Sequence, residues 1–312
     1  SFVDHMLTLK TLGGVSGLRN YWSNDGKMEN QGFDISATAK VLALKDFSWE
    51  ISAGLGHYKN KVTALPDGDK PVYTSLYGGE IVTQVGGPVG LFYGYKTQGV
   101  FSTSEDAASA GLRDGRADGD VFRGGDMHFA DLVADGVIDE KDKTVIGDPN
   151  PDIFGNFGTS LHYKNWTLNA FFSYSLGNDI YNYQRAVLEG GSTYYNQTTA
   201  VLNRWTSEGQ VTEIPRAELG DPMGNSRFSD RWIEDGSYLK LKTLSLSYRI
   251  PFNYTFLQGI TVWAAANNVF TCTKYLGSDP ELSISSSAVG QGIDRGLLGR
   301  GRSFVLGVKI NL

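Results

Sequence analysis

The sequence predicts an all-β fold of antiparallel strands, with tight turns at one end of the sheet and long loops at the other. Three observations lead to this prediction. The 312 residues include 39 Gly, 16 Tyr and 16 Phe but only 9 Pro, and such a composition favours strands and turns. Apolar and polar residues alternate with a period of two in several segments. Very short and very long connections separate these segments.

The alternation predicts about eight strands. The last one shows it best, because Phe304, Leu306, Val308 and Ile310 form one apolar face, and the residues between them are mostly small or polar. Several other strands carry an aromatic residue at one end of the apolar face. In chain order, the predicted strands cover residues 6–12, 32–44, 47–58, 153–163, 166–175, 238–250, 260–267 and 303–312.

The lengths of the connections favour a transmembrane barrel. Residues 45–46, 164–165 and 251–259 form short or moderate turns. Outer-membrane barrels have short periplasmic turns and longer extracellular loops. A large extracellular region, 59–152, is predicted to hold local hairpins and no spanning strand. Every long connection is expected outside the cell: residues 13–32, 59–152, 176–237 and 268–302.

In a barrel, one face of each strand faces lipid and the other faces the lumen. The residues predicted to face lipid are Phe304, Leu306, Val308, Ile310, Trp166, Leu168 and Phe172. Those predicted to face the lumen are Lys309, Asn311, Asn169 and Glu50. An arginine should be tolerated better at Gly307 than at Leu306, provided that the lumen has room. The alternative is a soluble secreted β-sandwich that binds glycans or acts as an adhesin, since its strands also alternate.

Charge and composition exclude several classes of protein. The net charge is -6, with 28 Lys and Arg against 34 Asp and Glu, and without a basic run the chain is a poor partner for nucleic acid. The single cysteine, Cys272, excludes an intramolecular disulfide, and a buried inert thiol is expected there. No apolar stretch approaches the roughly 20 residues of a membrane-spanning helix. Catalytic constellations are absent or weak, so we expect no enzyme.

An acidic segment, residues 131–142, has the spacing of a calcium loop, with carboxylates at positions 1, 5, 9 and 12 and glycine at position 6. The predicted ligands are Asp131, Asp135, the Val137 carbonyl, Asp139 and Asp142. Val133 departs from the pattern, which has Asp or Asn at that position. A structural calcium ion is one interpretation, and an acidic turn held by its own hydrogen bonds is the other. No other cofactor is expected.

Aromatic residues in the predicted loops are candidate ligand contacts. They are Tyr21, Trp22, Tyr194, Tyr195 and Trp205. Flat rings can stack on sugar faces or hold a peptide at a modest entropic cost. Packing within the loops, or against a lid protein, is the competing interpretation for each ring.

A series of motifs extends along nearly the whole chain. Among them are FYGYKTQGVF at 92–101, GDMHF at 125–129 and SDRWIEDGSYL at 229–239. The others are NQGFD at 30–34, FSWE at 47–50, IGDPNP at 146–151, GNDIYN at 177–182, NNVFT at 267–271, DPE at 279–281 and GID at 292–294. These motifs follow one another in the order typical of one family, and the chain resembles the SusC-like TonB-dependent outer-membrane transporters of Bacteroidetes-type bacteria.

The resemblance implies that residues 1–312 are the C-terminal part of one 22-stranded barrel domain, which imports oligosaccharide or peptide nutrients. It further implies a SusD-like lipoprotein as lid, contact with outer-membrane lipid, and coupling to TonB through an N-terminal part with a plug domain that this chain lacks. With about eight strands, the sheet should be open. Residues 6–12 and 303–312 should then pair with strands from the rest of the barrel.

Overall fold

The computed structural model describes residues 2–11, 20–116, 119–251, 259–285 and 287–311. The strands of the first half are β1 (Phe2–Thr11), β2 (Asn20–Ala43), β3 (Phe47–Ala64), β4 (Val72–Leu76), β5 (Gly79–Thr83), β6 (Leu91–Gly94), β7 (Thr97–Val100), β8 (Arg113–Asp114), β9 (Met127–Phe129), β10 (Val137–Ile138) and β11 (Thr144–Gly147). Those of the second half are β12 (Ile153–Tyr163), β13 (Trp166–Leu176), β14 (Asp179–Asn182), β15 (Ile233–Asp235), β16 (Tyr238–Ile250), β17 (Gly259–Thr273), β18 (Ile293–Asp294) and β19 (Ser303–Asn311).

The helices are short and lie in the long loops. They are α1 (Pro66–Asp69), α2 (Ser104–Ala110) and α3 (Tyr183–Glu189), with 3₁₀ turns at Glu140–Asp142, Thr199–Asn203 and Asp230–Trp232. Among the described residues, no helix has the length and apolar character needed to cross a membrane.

Eight strands form one antiparallel sheet in the order β1-β2-β3-β12-β13-β16-β17-β19. All eight predicted strands are in it, and β12 and β16 have the predicted bounds. β3 pairs with β12 although a long connection separates them in sequence. Within the described parts of the chain, β1 and β19 each pair on one side only. The sheet is therefore open, as expected, and does not close into a small barrel.

β2 and β3 are longer than predicted. β2 begins at Asn20 and β3 continues to Ala64. Residues 27–31 of the β2 extension pair with the β3 extension, and the residues before them pair with β1. The prediction of a loop over 13–32 is therefore wrong for residues 20–32, which belong to a strand. Period-two alternation requires one apolar and one polar face. The β3 extension buries Asn60 and Val62 against the long loops, at 8% and 0% exposure. Because Asn60 on the buried face is polar, the sequence does not alternate between apolar and polar residues although the strand continues.

The register aligns residues of neighbouring strands in rows across the sheet. One row contains Leu306, Ala264, Leu246, Leu168, Leu161 and Trp49. The adjacent row contains Val305, Ala265, Ser245, Asn169, Ser160 and Glu50. Successive residues of a strand point to opposite faces, so the first row marks an apolar outer face and the second a small or polar inner face. The residues predicted to face lipid and lumen lie on these opposite faces.

Aromatic side chains gather on the outer face near the short turns. The rings of Trp166 and Tyr248 are 4.6 Å apart, and Tyr163 and Phe47 continue their row. Aromatic girdles mark the membrane interface of outer-membrane barrels. Cys272, also on the outer face, is exposed. The expectation of a buried thiol is wrong, because no protein layer covers this face among the described residues.

The long loops fold into a layer with its own small sheets. β11, β6, β5 and β4 form one of them, and β15, β14 and β18 form another. Among the residues that the structure describes, two hydrophobic cores lie in this layer, and a third, smaller one joins Val62 of the large sheet to Leu65 and Val89. Phe92, Trp232 and Ile293 are fully buried in one cluster, while Phe129 and Met127 belong to a second cluster.

Candidate functional site

The loop between β17 and β19 is tied to the inner face of the sheet by a cluster of charges, here called the loop anchor (Lys240, Lys242, Asp279 and Glu281). Lys240 Nζ lies 2.8 Å from a carboxylate oxygen of Asp279 and 2.7 Å from one of Glu281, and Lys242 also pairs with Glu281. The side chain of Lys240 is 3% exposed and that of Asp279 is 6% exposed. Buried charges need partners, so the anchor fixes this loop to the sheet.

The lysines of the loop anchor also keep the carboxylate of Glu281 charged. Burial alone would raise the pKa of Glu281, but the hydrogen bonds from Lys240 and Lys242 outweigh burial and hold the pKa below its usual value. Glu281 is therefore ionised at neutral pH and can pair with both lysines. The DPE motif at 279–281, which contributes to the family resemblance, supplies both carboxylates of the anchor.

Three of the five candidate aromatic residues do not lie in an exposed loop of the described structure. Tyr21 and Trp22 belong to β2, and their side chains lie outside the described residues. Trp205 is packed in the loop layer. Its ring lies against Gly125, and its indole nitrogen donates a hydrogen bond to the carbonyl oxygen of Ser102 at 3.0 Å. Trp205 therefore packs within the loops, which was the alternative to ligand contact for that ring.

The other two candidates differ from each other. Tyr194 and Tyr195 are 89% and 71% exposed, and Tyr195 borders a cavity of about 290 Å³ in the loop layer, whereas Tyr194 does not. We call it the Tyr195 cavity. Its other lining residues with rings are Tyr77, Tyr181, Tyr183, Phe228 and Trp232, and those with hydroxyl groups on short side chains are Ser192, Thr193 and Ser226.

Secondary structure and hydrogen bonds hold the buried side of the Tyr195 cavity. Tyr181 lies in β14, which pairs with β15 and β18, and its hydroxyl donates to the carbonyl oxygen of Tyr77 at 2.9 Å. The Trp232 indole donates to the carbonyl oxygen of Arg227 at 3.2 Å. Sequence reasoning missed these residues as site residues, although GNDIYN and SDRWIEDGSYL contain them, because their distance along the chain conceals their convergence.

The acidic segment forms a turn that satisfies its own carboxylates. Asp131 accepts hydrogen bonds from the backbone N–H groups of Ala134, Asp135 and Gly136. Asp142, which is 0% exposed, accepts from those of Leu132, Val133 and Asp139. Lys141 Nζ lies 3.7 Å from Asp135 and 3.3 Å from Asp139.

This arrangement does not form a ready cation cage. Within the described residues, no three His, Cys, Asp or Glu side chains meet in a way that could hold a metal ion. The backbone N–H of Lys141 lowers the pKa of Asp139, which keeps a carboxylate charged without any metal. The geometry is that of the acidic turn, and calcium binding stays a prediction that calcium-dependent protection of this loop from proteases would test.

Comparisons with known proteins point to one family. No protein-family model matches the chain. TonB-dependent receptor P3 of Formosa agariphila is 32% identical over 320 residues, which cover 98% of this chain and 31% of that protein. TonB-dependent receptor SusC of Bacteroides thetaiotaomicron is 27% identical over 303 residues, which cover 92% of this chain and 27% of that protein. The chain thus spans less than a third of the length of these relatives.

Solved structures share the fold. The RagAB peptide transporter matches with a TM-score of 0.78 at 24% identity, over 99% of this chain and 32% of that one. RagAB in its closed-closed state, described as a peptide importer, matches with a TM-score of 0.77 over the same shares. The relatives are named as receptors, importers or transporters and not as enzymes. The chain belongs to the SusC-like family of TonB-dependent outer-membrane receptors, as the C-terminal barrel portion of such a protein.

Proposed function

We propose that this chain forms part of the wall and outer loops of a TonB-dependent importer of oligosaccharide or peptide nutrients. The observation that carries the proposal is the difference between the two faces of the large sheet. The outer face is apolar and exposed, and the inner face is mostly small or polar, with a few large residues such as Trp263, and holds the loop anchor. A barrel wall between lipid and a water-filled lumen requires faces of this kind.

A soluble β-sandwich fits these faces less well. A sandwich buries the apolar face of one sheet against a second sheet. Phe304 and Leu306 are instead 81% and 83% exposed, and in the described part of the chain no second sheet covers them. In water, a contiguous apolar face of this kind favours aggregation, whereas in lipid it is stable.

The open edges of the sheet indicate partners from a larger barrel. Among the described residues, β19 pairs with β17 alone, and β1 covers only the part of β2 from Asn20 to Glu29. An unpaired backbone N–H or C=O group in hydrocarbon costs several kcal/mol. We infer that further strands of the same barrel pair with β19 and with the rest of β2.

The partners and the energy source are part of the proposal. The solved relatives are described as a peptide importer or transporter, and a relative by sequence is named TonB-dependent receptor SusC. We propose that a SusD-like lipoprotein covers the outer loops of this protein as well. TonB would act through parts of the receptor outside this chain, so none of the residues described here is assigned to that contact.

Uptake by intact cells tests the proposed function. The gene for the whole receptor is deleted, and uptake of a labelled pool of oligosaccharides and a labelled casein digest is measured. We expect uptake from at least one pool to fall to background, to return with a plasmid copy, and to be lost equally in a strain without TonB. Unchanged uptake of both pools, or recovery of the protein as a soluble species in the culture medium, would contradict the proposal.

A further inference from the structure

We propose that the Tyr195 cavity is a subsite for one neutral pyranose ring. This inference rests on the proposed import function and narrows its substrate class to neutral oligosaccharides. Pockets for whole small molecules begin at roughly 300 Å³. The cavity measures about 290 Å³, so it has room for one ring of a longer chain whose other rings remain outside.

The lining has the mixed chemistry of a sugar ring. A pyranose has apolar C–H faces and a rim of hydroxyl groups. Tyr77, Tyr181, Tyr183, Tyr195, Phe228 and Trp232 provide aromatic faces, and the four tyrosines together with Ser192, Thr193 and Ser226 provide hydroxyl groups. Aromatic side chains combine a large apolar surface with polar handles, and a hydroxyl group can both donate and accept a hydrogen bond. The hydroxyl groups of Tyr181 and Ser226 already donate to the Tyr77 carbonyl oxygen and to Asp221. A bound sugar would therefore pair with the hydroxyl groups of Tyr183, Ser192 and Tyr195, which an apolar peptide side chain could not do.

Two nearby arginines, Arg185 and Arg231, lie outside the lining of the cavity. Arg185 pairs with Glu189 at 2.8 Å and with Glu234 at 2.9 Å. The Arg231 guanidinium lies 4.3 Å from the centre of the Trp232 ring and is not part of the lining. Among the described lining residues none is charged. An ammonium group in the cavity would lose water without gaining an opposite charge, which disfavours peptide N-termini. A carboxylate is disfavoured less, because the exposed Arg295 donates a hydrogen bond to the Tyr77 hydroxyl at 3.0 Å.

The cavity has a fixed side and an adaptable rim. Hydrogen bonds hold Tyr181 and Trp232, which are 3% and 0% exposed. A site that is ordered before binding loses less entropy when the ligand arrives. Tyr195, at 71% exposure, stands at the rim, where its ring can contact a bound sugar without disturbing the core. A substitution of Tyr195 should therefore change ligand binding without changing the stability of the fold.

Binding to the whole receptor, purified in detergent, tests the subsite. Calorimetry measures the affinities for maltohexaose, cellohexaose, xylohexaose and mannohexaose, for an acidic oligogalacturonate, and for a casein digest. We expect at least one neutral hexasaccharide to bind, and Tyr195→Ala to weaken that binding roughly five- to ten-fold, as expected for the loss of one aromatic contact. Tyr194→Ala is the matched control, because Tyr194 is adjacent and more exposed but outside the cavity; we expect an unchanged affinity.

A second variant tests the cavity itself. Val187 lines the cavity and is 39% exposed, so Val187→Trp can fill the space from the surface without entering the core. It should abolish binding of the neutral sugar and leave the melting temperature unchanged. Equal affinities of the Tyr195 and Tyr194 variants, binding of none of the four neutral sugars, or a loss confined to peptides or oligogalacturonate would each overturn the subsite.

The subsite and the import function can fail separately. If the wild-type receptor imports nutrients and both tyrosine variants import equally well, the subsite is wrong and the function stands. If the purified receptor binds the sugar through Tyr195 but its deletion leaves uptake unchanged, the import function is wrong and the subsite stands.

Discussion

Leu306→Arg in the whole receptor is expected to cause a strong loss of assembled protein in the outer membrane. Leu306 is 83% exposed on the outer face, in a row with Ala264 and Leu246. An arginine in the lipid-facing band of a barrel costs up to about 2 to 4 kcal/mol at the midplane. Heat-modifiable mobility of the receptor from outer-membrane fractions measures the folded amount.

Val305→Arg is the matched control for this substitution. Val305 is the preceding residue, lies on the inner face, and is 42% exposed, so its arginine would reach the lumen. We expect assembly close to the wild-type amount. Gly307, the inner-face position chosen from the sequence, is unsuitable, because a Cβ there would lie 2.4 Å from the Trp263 ring. Equal losses at 305 and 306 would contradict the assignment of the faces.

Lys240→Met is expected to release the loop between β17 and β19. The substitution leaves Asp279, whose side chain is 6% exposed, without its ammonium partner. Removal of one member of a buried ion pair costs about 3 to 5 kcal/mol. Hydrogen exchange of this loop should therefore accelerate by on the order of a hundredfold or more, as measured by mass spectrometry on the detergent-solubilised receptor.

Lys242→Met provides the comparison within the same anchor. The side chains of Lys242 and Glu281 are 24% and 22% exposed, and Glu281 keeps Lys240 as a partner. Partly solvated pairs contribute about 1 kcal/mol or less, so exchange of the loop should change by only a few-fold. If the two variants accelerate exchange to the same extent, or if neither does, the ion pair of Lys240 does not hold the loop.

The large sheet was predictable because a two-faced wall leaves a period-two signal. β12 has the predicted bounds because its alternation extends from turn to loop. β16 also has them, although a bulge between Leu241 and Thr243 shifts the phase of its alternation. The extension of β3 was not predictable, because its buried face combines the polar Asn60 with Val62 and therefore carries no such signal. The contact of Trp263 with Gly307 also escaped prediction, since it depends on the register between two strands.

The candidate site was predictable only in part. Tyr195 was recognised as an exposed loop aromatic, and nothing in the sequence distinguished it from Tyr194. The difference arises because Tyr181 and Trp232, from separate segments, meet beside Tyr195 through the small sheet of the loop layer. In the acidic segment the spacing of carboxylates indicated calcium equally well as a turn, since both use the same residues. The backbone hydrogen bonds to Asp131 and Asp142 depend on the folded loop and could not be predicted from the spacing.

The most direct test of the account is the environment of each residue along β19. Single cysteines are placed at positions 303, 304, 305, 306, 308, 309 and 310 of the whole receptor, with Cys272 replaced by serine, and a spin label on each reports its access to oxygen and to a water-soluble nickel complex in lipid vesicles. We predict a strict alternation, with oxygen dominant at 304, 306, 308 and 310 and nickel dominant at 303, 305 and 309. Water-like access at both sets of positions would contradict a barrel wall and favour the soluble sandwich.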